Sequence, residues 1–329
     1  MNISGSKYLV SKNIDIWGLS LASLICFFLL KIINDVSLSY LIIVLVISVV
    51  LDNGHIYMTY SRVFKEYKKE KMFFIVVPFV IFTFFFIWLF NDIPYFWSFV
   101  LYATFFHFAR QIYGINRWYM KKEEMNSKFR DFIIYSIIIL PILSMHFNPY
   151  FTVIFFTPSD FYTYKSELLY SLTININILI VFIWVLIELI NYNRIKTINL
   201  YRIIFILSNI VLFSAVGYFA SNSIEVIIPV MMAHGFQYLV LSVKAENQLH
   251  DISVKKVALI LLLLATLFGG LDTYLQDLFD MDNSYLYDYS MIDKVLLSLL
   301  LVPLFSHYIY DMRIWKRSYF KKIEEKEKC

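Results

Sequence analysis

The sequence predicts an all-α integral membrane protein: a bundle of about ten transmembrane helices with both termini cytoplasmic. Three observations carry this expectation. Hydrophobic residues make up 60% of the 329 positions and charged residues only 16%. A soluble chain of this size has too little interior to hide so much apolar surface, whereas lipid solvates the outer faces of a membrane bundle. Apolar segments also recur along the chain at lengths that match about 30 Å of hydrocarbon at about 1.5 Å per helical residue. Finally, the basic residues crowd into alternate connections, as the cytoplasmic preference of lysine and arginine requires.

The expected spans are 16–33, 38–61, 72–90, 95–117, 130–147, 167–191, 198–219, 224–245, 256–272 and 293–313. The first is long enough to be kept as a span rather than cleaved as a signal. Basic residues occur in the N-terminal arm (Lys7, Lys12), from Arg62 to Lys71, from Arg117 to Arg130, at Arg194, Lys196 and Arg202, at Lys244, Lys255 and Lys256, and from Arg313 to Lys328. With an even number of spans these all fall on one side. Lys31, Arg110, Lys165 and Lys294 are the exceptions. The opposite side carries an acidic, tyrosine-rich connection from Asp272 to Asp293. The net charge of +4 therefore reflects membrane orientation, and nucleic acid is not an expected partner. Cys26 and Cys329 form neither a disulfide framework nor a zinc motif. The stretch from Asn148 to Lys165, with Pro149 and Pro158, reads as a cap on the bundle. No soluble domain, repeat or low-complexity tract interrupts the chain, which reads as one helical domain over 1–329 with short arms at 1–15 and 316–329.

Four histidines stand out. His55 lies seven residues before Arg62, His107 ten before Arg117, His234 ten before Lys244 and His307 six before Arg313. Each falls on an even-numbered span, so the four run in the same direction at a shared depth of about 9–15 Å from the cytoplasmic boundary. A lone membrane histidine is usually a hydrogen-bonding group between helices. Four at one depth favour a joint metal site, because imidazole is a good ligand for iron, copper or zinc.

Polar residues recur at helical spacing around them. Asp52 and Thr59 flank His55, Gln111 follows His107, Gln237 and Tyr238 follow His234, and Asp311 follows His307. Asp52, Thr59, Gln111, Gln237 and Asp311 are candidates to orient the imidazoles by hydrogen bonding. Asp52 is also a candidate ion-pair partner for Arg110. Tyr238 is the candidate catalytic hydroxyl, with Tyr57, Tyr60 and Tyr113 as further donors. Arg110 is a candidate to hold a phosphate or carboxylate head group. His146 and His250 read as solvated, although His250 and Asp311 are each near enough to join the site.

A histidine-rich, carboxylate-poor site favours non-haem iron, with copper or zinc as alternatives. A metal among lipid-embedded helices invites a hydrophobic small molecule that enters from the bilayer. Dioxygen also partitions there. The expected activity is therefore an oxidoreductase or oxygenase acting on a lipid, an isoprenoid or a carotenoid-like molecule. Two alternatives use the same histidines: a haem-binding electron-transfer protein, with non-covalent haem, and a proton-coupled transporter.

On the placements of Asp52, His55, His107 and His234 the chain distantly resembles the Brp/Blh-type membrane carotene dioxygenases. The resemblance implies a polytopic bacterial inner-membrane protein, iron held by histidines from several helices, and carotenoid oxidation. Where that family carries a second histidine four residues on, this chain has Tyr238 after His234, and its fourth histidine comes from a later helix.

Overall fold

The computed structural model describes residues 8–32, 52, 54–56, 58–60, 62–63, 71–122, 128–153, 163–195, 198–250, 253, 255–256, 259–260, 263, 266–267 and 289–314. A π-type helix, Ile14–Leu21, runs directly into α1, Ala22–Ile32. Then follow α2 (Lys71–Phe90), α3 (Phe96–Lys122), α4 (Lys128–Met145), α5 (Glu167–Ile195), α6 (Leu200–Phe219), α7 (Ser223–His250) and α8 (Met291–Ile314). Asp52, His55, Thr59 and Arg62 also lie in helical backbone. No strand occurs among the described residues beyond an isolated bridge between Thr152 and Asn222.

Five helical segments are long and apolar enough to cross a membrane: Met72–Phe90, Glu167–Arg194, Leu200–Phe219, Ser223–Asn247 and Met291–Met312. They correspond to five of the expected spans. Two more, at 95–117 and 130–147, are helical as α3 and α4, but their apolar character is diluted. His107, Arg110, Gln111, Asn116 and Arg117 lie within α3, and Lys128, Arg130 and Asp131 open α4. The expected spans at 38–61 and 256–272, the connection from Asp272 to Asp293 and the C-terminal arm fall largely or wholly outside the described residues.

Prolines sit inside α2, α4, α7 and α8, at Pro78, Pro141, Pro229 and Pro303. Each removes one backbone donor, which a helix tolerates where neighbours and hydroxyls satisfy the freed carbonyls. The carbonyl that Pro141 leaves without its helical donor is that of Ile137; near the end of α4, Ser144 donates its hydroxyl to the carbonyl of Pro141 itself at 2.6 Å. Gly217 of α6 lies directly against this turn. A methyl group there would come within 2.4 Å of the Pro141 carbonyl oxygen, so α4 and α6 pack as closely as they do because residue 217 has no side chain.

Contacts divide the chain into two compact units: Met1–Leu41, Leu101–Phe155 and Phe161–Gln237 in the first, and Ile42–Val100, Phe156–Asp160 and Tyr238–Cys329 in the second. The division falls inside α3 and α7, both of which are continuous helices. In the first unit α4 packs on α5 and α6, and α6 packs on α1 and the π-type helix. The second unit is built on α2 against α8, with a core of Ile81, Phe85, Leu89, Phe96, Trp97, Leu297 and Leu301.

Buried charge is neutralised locally. Arg202, expected from the sequence as a cation at the cytoplasmic end of the span 198–219, is buried at the start of α6. Its guanidinium donates to both carboxylate oxygens of Glu188 on α5, at 3.0 and 2.5 Å. Asp15 accepts from the backbone N–H groups of Leu9 (2.6 Å), Val10 (2.9 Å) and Ser11 (3.2 Å) and from the Tyr119 hydroxyl at 2.6 Å, which ties the N-terminal segment to α3. Lys31 pairs with Glu225 at 2.7 Å, and Lys294 pairs with Asp92 at 2.6 Å. Lys165 donates to the carbonyls of Pro149 and Phe151. Hydrogen bonds from Tyr164 to His146 and from Ser166 to Phe147 hold the near end of the 148–165 connection against α4.

Candidate metal centre

His307 sits on α8 one turn past Pro303, and His55 lies in the helical residues before Arg62. Both are buried, and their Nε2 atoms are 3.0 Å apart. On its other side, His307 Nδ1 is 2.8 Å from Thr59 Oγ1, and Thr59 Oγ1 is 3.0 Å from Asp311 Oδ1. The Tyr238 hydroxyl donates to the same carboxylate oxygen at 2.8 Å and also touches Thr59 Oγ1. The donor inventory sets the direction of this chain. A carboxylate only accepts, so Thr59 and Tyr238 donate to Asp311. With the single Thr59 proton on Asp311, the hydroxyl is free to accept from His307 Nδ1–H, and the tautomer that donates there would carry its lone pair on Nε2, on the side of His55. The Tyr238 ring packs on both imidazoles, with centroid separations of 4.9 Å to His55 and 5.7 Å to His307. Asp52 lies one turn before His55, with Oδ1 3.6 Å from His55 Nδ1.

The second pair belongs to the first unit. His107 on α3 and His234 on α7 are buried, with ring centroids 4.9 Å apart and planes at 73°. Phe108 covers His234 at 4.3 Å. Gln111 lies one turn past His107 and donates to the His234 carbonyl at 2.9 Å and to Gln237 Oε1 at 3.3 Å. Gln237 in turn donates to the Leu19 carbonyl of the π-type helix at 2.9 Å. Two amides thus tie α3, α7 and the N-terminal helix together beside the imidazoles.

His55, His107, His234 and His307 can each offer one ring nitrogen such that all four atoms lie within 4.8 Å of one another. A histidine cluster of this kind can bind a metal ion.

The other candidates divide. Asp52, Thr59, Gln111, Gln237, Asp311 and Tyr238 all lie against the histidines or against residues that touch them. Tyr238, expected as a catalytic hydroxyl, spends its proton on Asp311. Arg110 is exposed and forms no ion pair among the described residues, so its expected pairing with Asp52 is not made. Tyr60 packs edge-on against Tyr310 at 5.4 Å, and Tyr113 donates to Asp131 at 3.4 Å, so neither serves the histidines. His146 is half-buried, with Nε2 3.2 Å from the Tyr102 hydroxyl, and is not one of the four. The side chains of Tyr57 and His250 lie outside the described residues.

In the sequence Thr59, Asp311 and Tyr238 are separate candidates; their joining into one hydrogen-bonded chain is a product of the fold. The local signal is the four-residue spacing that relates His55 to Thr59, His307 to Asp311 and His234 to Tyr238. Comparison of the chain with protein-family models, curated proteins and solved structures finds no match.

Proposed function

We infer that the four histidines hold one metal ion and that the protein is a membrane-embedded oxidoreductase, with non-haem iron the favoured metal and a lipid, isoprenoid or carotenoid-like molecule the substrate. The observation that carries this reading is the cluster of four buried imidazoles, each able to offer a nitrogen within 4.8 Å of the rest. The shared depth of the four histidines, counted in residues from Arg62, Arg117, Lys244 and Arg313, supports taking the two pairs as one centre. The all-nitrogen donor set fits iron, copper or zinc better than magnesium or calcium.

The metal would supply dioxygen chemistry or polarise the substrate. The chain's own residues have simpler tasks. Thr59 and Asp311 fix the tautomer of His307, Gln111 and Gln237 hold α7 at His234, and the apolar surroundings exclude water. Because all four ligands are buried in a chain with an apolar exterior, the substrate comes from the bilayer. The resemblance to Brp/Blh-type dioxygenases puts carotenoids among the first molecules to try.

The test is oxygen uptake by anaerobically iron-loaded protein in lipid nanodiscs supplied with lipid, isoprenoid and carotenoid panels. Uptake that depends on one substrate class and falls in His107→Ala to the level of metal-free protein is the expected result. Stoichiometric iron with no substrate-dependent uptake across the panels would contradict the oxygenase reading.

A further inference from the structure

Among the four basic residues that the charge pattern leaves outside the cytoplasmic connections, the structure gives three a partner. Lys31 has Glu225, Lys294 has Asp92, and Lys165 has two carbonyls. Arg110 has neither a hydrogen bond nor an ion pair among the described residues, and it is exposed near the middle of α3. Its neighbours are aromatic: the guanidinium carbon lies 6.0 Å from the centroid of the Phe106 ring, and its charge is felt at Tyr113 and Tyr135.

The surroundings of Arg110 are specific. Phe106, Arg110, Tyr113 and Arg117 follow at intervals of four, three and four residues, which makes one stripe of α3. Tyr135 of α4 stacks on both rings that bracket Arg110, at 6.3 Å from Phe106 and 4.9 Å from Tyr113. Three rings therefore form a wall beside the guanidinium. The next cation along the stripe is compensated, since Arg117 Nη1 lies 3.6 Å from Asp131 Oδ2. One positive charge on this face is left over. The same face is apolar, with Phe106, Phe132 and Ile139 exposed.

An uncompensated guanidinium on a hydrocarbon-facing helix is costly, and an anion that arrives with its own apolar chain relieves the cost. We propose that Arg110 is a binding site for the phosphodiester of an anionic membrane phospholipid, whose acyl chain lies along the Phe106–Tyr135–Tyr113 wall. The planar fork of arginine suits two phosphate oxygens at once, which a lysine ammonium cannot match. The position suits a lipid. Arg110 lies seven residues, about 10 Å, from Arg117, within reach of a head group at the end of α3 that carries Arg117. Tyr113 and Tyr135 present amphipathic rings, the side chains that favour the membrane–water boundary. This site stands on α3 and α4 alone and does not depend on the metal reading.

The test is native mass spectrometry of the full-length protein after delipidation and exchange into detergent with equal phosphatidylglycerol and phosphatidylcholine, and separately with oleate. Wild type is expected to retain one phosphatidylglycerol in preference to phosphatidylcholine. Arg110→Gln is expected to lose that preference, while Arg110→Lys keeps part of it. The partial rescue separates a head-group site from a change in folding, which helical circular dichroism monitors in each variant. Equal retention of phosphatidylglycerol by wild type and folded Arg110→Gln would overturn the proposal. So would retention of oleate without phosphatidylglycerol, which would make the ligand a carboxylate.

Discussion

Replacing His307 by alanine is expected to reduce bound metal from about one ion per chain to background, with the helical content unchanged. His307 is fully buried, its Nε2 faces His55 Nε2 at 3.0 Å, and its Nδ1 is held by Thr59 at 2.8 Å. Alanine removes the ligand and leaves Thr59 and Asp311 with nothing to orient. The milder Asp311→Asn variant keeps the ligand but weakens the acceptor that fixes its tautomer, and an outer partner of this kind is worth about 10- to 100-fold in metal affinity. His146→Ala serves as the control, because His146 lies outside the cluster and contacts Tyr102 instead. Metal content by mass spectrometry and affinity by chelator competition check all three. Equal metal in His307→Ala and His146→Ala would remove His307 from the site.

Breaking the pair between Arg202 and Glu188 is expected to be the most damaging single change away from the histidines. Their side chains are 2% and 9% exposed, and two hydrogen bonds join them. Arg202→Met keeps the aliphatic bulk and strands a buried carboxylate, at a cost of about 3–5 kcal/mol. The double variant Glu188→Met with Arg202→Met removes both charges and is expected to recover most of that loss. Thermal unfolding in detergent measures each. A single variant as stable as wild type would show that water or lipid head groups solvate Glu188, and that the pair does not hold α5 to α6.

The parts of this structure that were legible in the sequence are those set by composition or by local spacing. Lipid must be faced by apolar residues, so α2, α5, α6, α7 and α8 could be read from hydropathy alone. The histidines were legible because depth in a membrane is counted in residues from a charged boundary. Asp52 beside His55 and Asp311 beside His307 obey the three- and four-residue rule of a helix face. What escaped is tertiary. Glu188 and Arg202 meet across an antiparallel helix pair, fourteen positions apart in sequence, and Arg202 near a helix end looks like any boundary cation. Asp15 gathers three backbone amides and Tyr119 through the turn that opens the π-type helix, a geometry with no sequence period. Gly217 owes its place to the Pro141 carbonyl on another helix. The polar residues of α3 were visible, but which of them turn inward with His107 and which, like Arg110, turn outward depends on what packs against α3.

The decisive measurement is the metal content and optical spectrum of the protein purified in mild detergent, after anaerobic incubation with iron, copper and zinc in turn. A four-histidine centre is expected to retain close to one ion per chain, iron in preference, with no Soret band. A Soret band would make the histidines haem ligands, and a folded protein that retains no metal under any loading condition would contradict the four-histidine centre itself.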